Sequence, residues 1–350
     1  MTSQKHTDDF NETCEHLKFL LKDSIAKQLV SDMPLCTFLS GGLDSSIITK
    51  LASDYCKKEG LAPLNTYSID YVDNDKNFIK SDFQPNSDNY YIDLMQKNLH
   101  TNHHKIVIDT PELASYLEDA MIARDMPGMA DIDSSLLLFC KYVKKDMTVA
   151  LTGECADEIF GGYPWFFRED ALTSNTFPWS IALSERQNLL HPEITKKIDL
   201  KNYVDFRYKE SLSKVEILEC DSIETAEKRK VSYLTLNWFM QTLLDRSDRM
   251  SMYHGLELRV PFCDYRLAEY VWNIPWEWKA LHGREKGLLR YIAKDFLPDE
   301  IINRKKSPYP KTHNPNYLAK VKKMLYNIIE NNDSPICSLL NRNFILEIIQ

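Results

Sequence analysis

Apolar positions in the first 160 residues switch repeatedly between two spacings. Over residues 15–29 they fall at Leu17, Leu20, Leu21, Ile25 and Leu29, one face of a helix. Asp32-Met33-Pro34 closes that helix, and residues 35–39 form a short apolar run of strand type. A Ser-Gly-Gly turn follows. Residues 44–58 return to helical spacing, with Ile47, Ile48, Leu51 and Ala52 inward and Gly60 past the end. The alternation continues through strand candidates at 64–69, 104–108 and 147–152. Between them lie helix candidates at 88–99, 111–123 (Thr110 as cap, Pro111 at the first position) and 134–144. Strands alternating with helices predict an α/β fold, a doubly wound parallel sheet with helices on both faces. Ligands of such sheets bind beyond the carboxyl ends of the strands, and the glycine turns after residues 39 and 152 both fall at such ends.

Past residue 175 the strand signal fades, and the spacing predicts helices over 223–244, 284–295 and 316–329. The expected organisation is a loose polar arm over 1–14 and one domain over 15–350. Within that domain, 15–175 forms the sheet-bearing core, and 176–350 is a mainly helical part that packs on the sheet and closes its cleft. Residues 71–88 are polar and are expected to form a mobile insert near the nucleotide edge.

Composition narrows the function classes. At 350 residues and 43% hydrophobic content the chain can bury a large core. Its net charge of −8 argues against a nucleic-acid binder, which presents a basic face. No apolar run approaches the roughly 20 residues of a membrane span, and the polar start lacks a secretory h-region. None of the eight cysteines forms a C-x-x-C pair, and several lie in apolar stretches, as reduced buried thiols would. A cytoplasmic protein is expected, with no membrane or nucleic-acid partner.

Four segments carry chemistry. In Ser40-Gly41-Gly42-Leu43-Asp44-Ser45-Ser46 the glycines allow close backbone approach, the new helix offers free N–H groups, and the serines add hydroxyls. Together these make a phosphate cradle. Asp44 is out of place beside phosphate unless Mg²⁺ bridges the two. The turn taken alone leaves open a simpler role for Asp44, capping the helix. The second segment, from Leu151 to Tyr163 (LTGECADEIFGGY), sets Glu154 and Asp157 three apart, on one face of an early helical turn. Asp157 would complete a metal site with Asp44, and Glu154 would act as general base. The third runs from Asp245 through Arg246, Asp248 and Arg249 to Arg259; an internal ion-pair network is the competing explanation for any one of these. The fourth places Lys286 in GREKG and Lys306 in the basic, proline-bounded loop after Asn303, where a lysine clamps phosphate charge or is merely solvated.

In order and in motif, these segments resemble the synthetase domain of the glutamine-dependent asparagine synthetases, within the pyrophosphate-loop superfamily (adenine-nucleotide alpha-hydrolase-like fold). That superfamily also includes beta-lactam, GMP and NAD synthetases. The resemblance implies an ATP-dependent carbon–nitrogen ligase. A carboxylate attacks the α-phosphorus of MgATP and expels pyrophosphate, and ammonia converts the acyl-adenylate to an amide and AMP. It further implies that Ser40, Gly41, Gly42, Asp44, Ser45 and Ser46 hold pyrophosphate, and that Leu39, Ile69, Thr152 and Gly153 line the adenosine site. Asp44 and Asp157 bind Mg²⁺, Glu154 takes the proton of the incoming nitrogen, and Lys306 with Lys286 neutralises phosphate charge. Arg246 and Asp248 are candidates for the acceptor.

Two departures matter. The family's N-terminal glutaminase domain is missing from the sequence, so ammonia is expected as free ammonia or from a partner domain or subunit; a homodimer is a further expectation. In place of a threonine pair thought to hold aspartate, residues 125–133 read DMPGMADID. Aspartate is therefore the leading acceptor, with diaminopimelate in a cell-wall precursor as alternative. A catalytically silent nucleotide-binding subunit is a second alternative, against which intact Glu154, Asp157 and Lys306 argue. RNA thiolation is disfavoured by the lack of paired cysteines and of a basic face.

Overall fold

The computed structural model describes residues 1–80, 86–331 and 333–349. Its centre is a five-stranded parallel sheet in the order β3-β2-β1-β4-β5: β1 (Leu35–Phe38), β2 (Leu64–Tyr71), β3 (Thr101–Ile108), β4 (Val149–Leu151) and β5 (Glu257–Arg259). The register runs Cys36 against Asn65 on one side of β1 and Cys36 against Ala150 on the other. The chain steps outward from β1 to β2 and β3, then restarts on the opposite flank with β4. That reversal opens a crevice between β1 and β4.

The predicted elements form with shifted ends. The first helix, Phe10–Gln28, starts ahead of the apolar stripe because Asp9 caps it and Glu12 closes a capping box. Its inward face carries Leu17, Leu21 and Ile25, each at most 1% exposed, worth roughly 1.5–3 kcal/mol per side chain. The arm before it is not loose. Ser3 is buried and its hydroxyl donates to the Glu216 carbonyl at 2.8 Å. The single helix expected over 111–123 breaks at Tyr116 into Thr110–Ser115 and Leu117–Arg124, and its cap is Asp109, not Thr110. Asp109 Oδ1 accepts from the Glu112 N–H at 2.8 Å. Within 71–88, Asn74–Asn77 forms one helical turn, and residues 81–85 of the expected insert lie outside those described.

The later half is helical but also supplies β5, which pairs Leu258 with Ala150. The long helix predicted from residue 223 forms as Ile223–Leu234. It passes through a π turn at Thr235–Phe239 into Met240–Met252, which reaches the crevice. All eight cysteines are free thiols; Cys220 is exposed and Cys263 and Cys337 are partly so, unlike the buried five. Among the described residues no helix is long and apolar enough to cross a membrane.

Candidate active site

The two glycine turns leave β1 and β4 side by side and touch. A Cβ on Gly153 would lie 2.7 Å from the Ser45 nitrogen and 2.8 Å from the Asp44 carbonyl carbon, so a side chain there would force the turns apart. The first turn is held from inside: Ser45 Oγ accepts from the Ser40 N–H at 3.1 Å and lies 2.9 Å from Ser40 Oγ. Buried Arg304 holds it from outside. Its guanidinium donates to the Ser40 carbonyl at 3.0 Å, pairs with Asp88 and lies 4.2 Å from the Tyr91 ring centroid. The helix Leu43–Lys58 begins at Gly42 with no side-chain cap, and Ser46 Oγ is buried without a partner. Free N–H groups, the positive end of the helix dipole and a spare hydroxyl suit an anion.

The second turn is delivered by Cys155, held at φ 72° at the start of Ala156–Phe160. A non-glycine in the left-handed region is backbone strain of the kind stored at working sites. Lys286 shares it, at φ 54°. The structure brings the predicted residues of both turns together around these lysines. Lys286 Nζ lies 2.8 and 2.6 Å from the Asp44 oxygens and 2.8 Å from Asp157 Oδ1, and Lys306 reaches Asp157 Oδ2. Two carboxylates and two ammonium groups give an internally neutral cluster. Burial pushes Asp44 up, against the pull of Lys286. Asp157 is buried too, yet Lys286 and Lys306 hold it well below the usual carboxylate range. Burial opposes the charge on Lys286, but the facing carboxylates raise it above its ordinary value. Next to Asp157, Glu158 accepts from the Tyr163 hydroxyl at 2.6 Å and is pushed up to about 7 by burial and by Asp157.

Paired aspartate oxygens suit a hard divalent cation, and Mg²⁺ takes one or two carboxylates together with phosphate and water. The residues present therefore fit the group.

Glu154 faces the same crevice. Its Oε1 accepts from Ser247 Oγ at 2.7 Å and from Arg246 at 3.4 Å, while Oε2 is buried without a partner. Leu39 and Ile69 sit at the carboxyl ends of β1 and β2, with the Leu39 N–H donating to the Tyr67 carbonyl at 2.8 Å; Thr152 follows β4. Asp248 is not brought in: it is exposed, because the helix turns it away from the face that carries Arg246 and Ser247.

Sequence reasoning missed two residues. Arg124 is 5% exposed and Asp133 is 2% exposed. Arg124 Nε and Nη1 and Asp133 Oδ1 have no hydrogen-bond partner, nor has Arg246 Nε. The loop between them ties these groups to the crevice. Met129 N–H donates to Asp133 Oδ2 at 2.8 Å, and Arg246 Nη1 lies 3.6 Å from the Met129 sulfur. Arg124 keeps Asp245 and the Thr242 carbonyl at Nη2, but buried charged atoms without partners are costly, and such a group is a candidate place for a ligand. The available signal was a charge at each end of that loop, Arg124 just before DMPGMADID and Asp133 as its last residue.

Comparison with known proteins shows the family. The family model described as asparagine synthase matches residues 16–350. The chain is 51% identical over 99% of its length to asparagine synthetase [glutamine-hydrolyzing] 3 of Bacillus subtilis (strain 168), covering 56% of that protein. It is 27% identical over 94% of its length to asparagine synthetase [glutamine-hydrolyzing] 1 of the same organism, covering 54%. The chain thus spans about half the length of the curated relatives it matches. A solved NMN synthetase from Francisella tularensis overlays on 72% of this chain and 98% of its own, at 16% identity and a TM-score of 0.26.

Proposed function

Because the chain belongs to the asparagine synthase family, we propose that it amidates a carboxylate with ATP and ammonia, releasing AMP and pyrophosphate. The observation that carries this reading is the Asp44–Lys286–Asp157–Lys306 cluster at the mouth of the β1–β4 crevice. In the proposed reaction, residues 40–46 hold the phosphate chain on backbone N–H groups and hydroxyls. Leu39, Ile69, Thr152 and Gly153 line the adenosine, and the acceptor carboxylate attacks the α-phosphorus. Asp44 and Asp157 are the residues to hold Mg²⁺, which supplies charge neutralisation on the phosphates. Lys286 and Lys306 transfer their ion pairs from aspartate to phosphate oxygens as negative charge shifts onto pyrophosphate. Glu154, through its free Oε2, takes a proton from ammonia as it attacks the acyl-adenylate; Arg246 and Ser247 keep that carboxylate oriented through Oε1.

The unpartnered atoms of Arg124, Arg246 and Asp133 support an acceptor that carries a second carboxylate and an ammonium group beside the reacting carboxylate. Aspartate leads on that description, and a diaminopimelate carboxylate is the alternative. Ammonia arrives free or from a glutaminase domain or subunit. The test is pyrophosphate release from ATP with Mg²⁺ and excess ammonia, screened over aspartate, diaminopimelate and other small carboxylates. Release that requires both ammonia and one carboxylate is expected; no release above background with any of them sinks the proposal. In the same assay Glu154→Gln is expected to keep nucleotide binding while amide formation falls.

A further inference from the structure

A second group of buried charges lies away from the crevice. Helix Ile223–Leu234 turns Lys228 and Arg229 inward, each 7% exposed, and the turn Trp276–Lys279 brings in Lys279 at 6%. With Trp272 and Trp276 they line a cavity of ≈ 10 Å³, measured as space for the centre of a water-sized sphere. The carboxylate Asp221 pairs with Arg229 through two hydrogen bonds of 2.9 Å, accepts from the Leu218 N–H at 3.0 Å and acts on Lys279 at longer range. The Lys228 ammonium donates to the Phe166 carbonyl and lies 5.3 Å from the Trp276 ring centroid. The Lys279 ammonium donates to the Val271 carbonyl at 3.3 Å. Among the described residues neither lysine forms an ion pair. Within ion-pair distance, three cations therefore have one carboxylate, with Glu224 acting on Lys228 and Glu277 on Lys279 only at longer range, an arrangement a protein interior does not tolerate cheaply.

We propose that this cavity is a site for a single monatomic anion of the halide class, held between the Lys228 and Lys279 ammonium groups. Its volume, about the least that admits one water-sized particle, suits a monatomic ion better than phosphate, sulfate or a carboxylate. Burial already drives Lys228 downward and, with the Arg229 charge, pushes Lys279 down to about 7; a bound anion would favour the charged forms of both. The site also touches the segment that leads away from the second glycine turn. Trp276 packs so closely on Gly161 that a Cβ there would lie 2.7 Å from the indole. Gly161 and Phe166 belong to the segment that follows Asp157, so the anion buttresses the turn that carries that carboxylate.

Crystals of the intact chain grown in sodium bromide test this directly. An anomalous bromide peak between Lys228 and Lys279 is expected, and its absence at high bromide overturns the proposal. In solution the thermal midpoint is expected to rise with chloride in a saturable way, measured against gluconate at equal ionic strength. That response should vanish in Lys279→Met and persist in Lys196→Met, a change on an exposed helix. Where Lys279→Met does not fold, Lys228→Met takes its place. Equal response to chloride and gluconate, or a chloride response unchanged in both cavity variants, rejects the site.

Discussion

The crevice cluster and the basic cavity are both buried assemblies of charge, but they settle their charge in opposite ways. Asp44, Asp157, Lys286 and Lys306 cancel one another. Lys228, Arg229 and Lys279 have Asp221 alone at ion-pair distance among the described residues. In the first, each lysine occupies a carboxylate that the proposed chemistry hands to a metal, and each is free to move to phosphate when that exchange occurs. In the second, no further carboxylate among the described residues reaches the lysines at ion-pair distance. A neutral cluster is thus poised for exchange, and an unbalanced one for addition.

The sharpest way to break this contrast is to remove the central cation of the neutral cluster. Lys286→Met leaves two buried carboxylates facing each other and is expected to cost about 3–5 kcal/mol in urea unfolding. A cost near zero would mean that the aspartates do not share that lysine. Asp157→Asn keeps the shape but removes a proposed metal ligand. Pyrophosphate release is expected to fall by about 10²–10³-fold, with titration calorimetry showing weaker Mg²⁺-dependent ATP binding. Smaller effects belong to the acceptor region. Arg124→Lys and Asp133→Asn are each expected to raise the KM for the acceptor about tenfold, with the KM for ATP unchanged.

The mildest effect belongs to the unbalanced cavity. Lys279→Met is expected to be neutral or slightly stabilising in halide-free buffer, because a buried cation without a carboxylate is replaced by an apolar chain of similar length. The sign of its pH dependence follows from the folded value of about 7. The unfolded chain keeps this proton up to about pH 10.4. Between the two values the unfolded state binds more protons, so the wild-type chain gains stability as pH rises. Its deficit against Lys279→Met is full below pH 7 and narrows toward pH 10. Urea unfolding of both proteins in halide-free buffer at pH 7 and 9.5 checks this.

What could be read from the sequence follows the same division. The nucleotide side is written in contiguous runs, because a strand, a glycine turn and a helix start are local events. Residues 40–46 and 151–163 therefore announced themselves, and four strands were visible as apolar runs. The acceptor side and the cavity are built from single residues far apart in the chain. Arg124 meets Asp245, and Lys228 meets the Phe166 carbonyl; no local pattern marks such pairs. Strand β5 escaped because Glu-Leu-Arg is short, polar at both ends and only partly buried. Its pairing is dictated by β4, not by its own composition. Asp248 was misplaced for a related reason: one residue decides which side of a helix faces the crevice, and that depends on packing.

The position of β5 in the chain has a consequence for synthesis. As the chain leaves a ribosome, β1 to β4 and both glycine turns emerge first, while β4 keeps an open flank until residue 259 arrives. Over that interval the nascent sheet exposes an unpaired edge of Val149, Ala150 and Leu151, which is adhesive toward other strands. The charges are unfinished as well, since Asp44 and Asp157 precede the lysines that neutralise them by more than a hundred residues. The strand that closes the sheet comes before those lysines, so edge and charge are repaired in that order, late in translation, and a ribosome stalled before residue 257 would hold a chain both sticky and charge-frustrated.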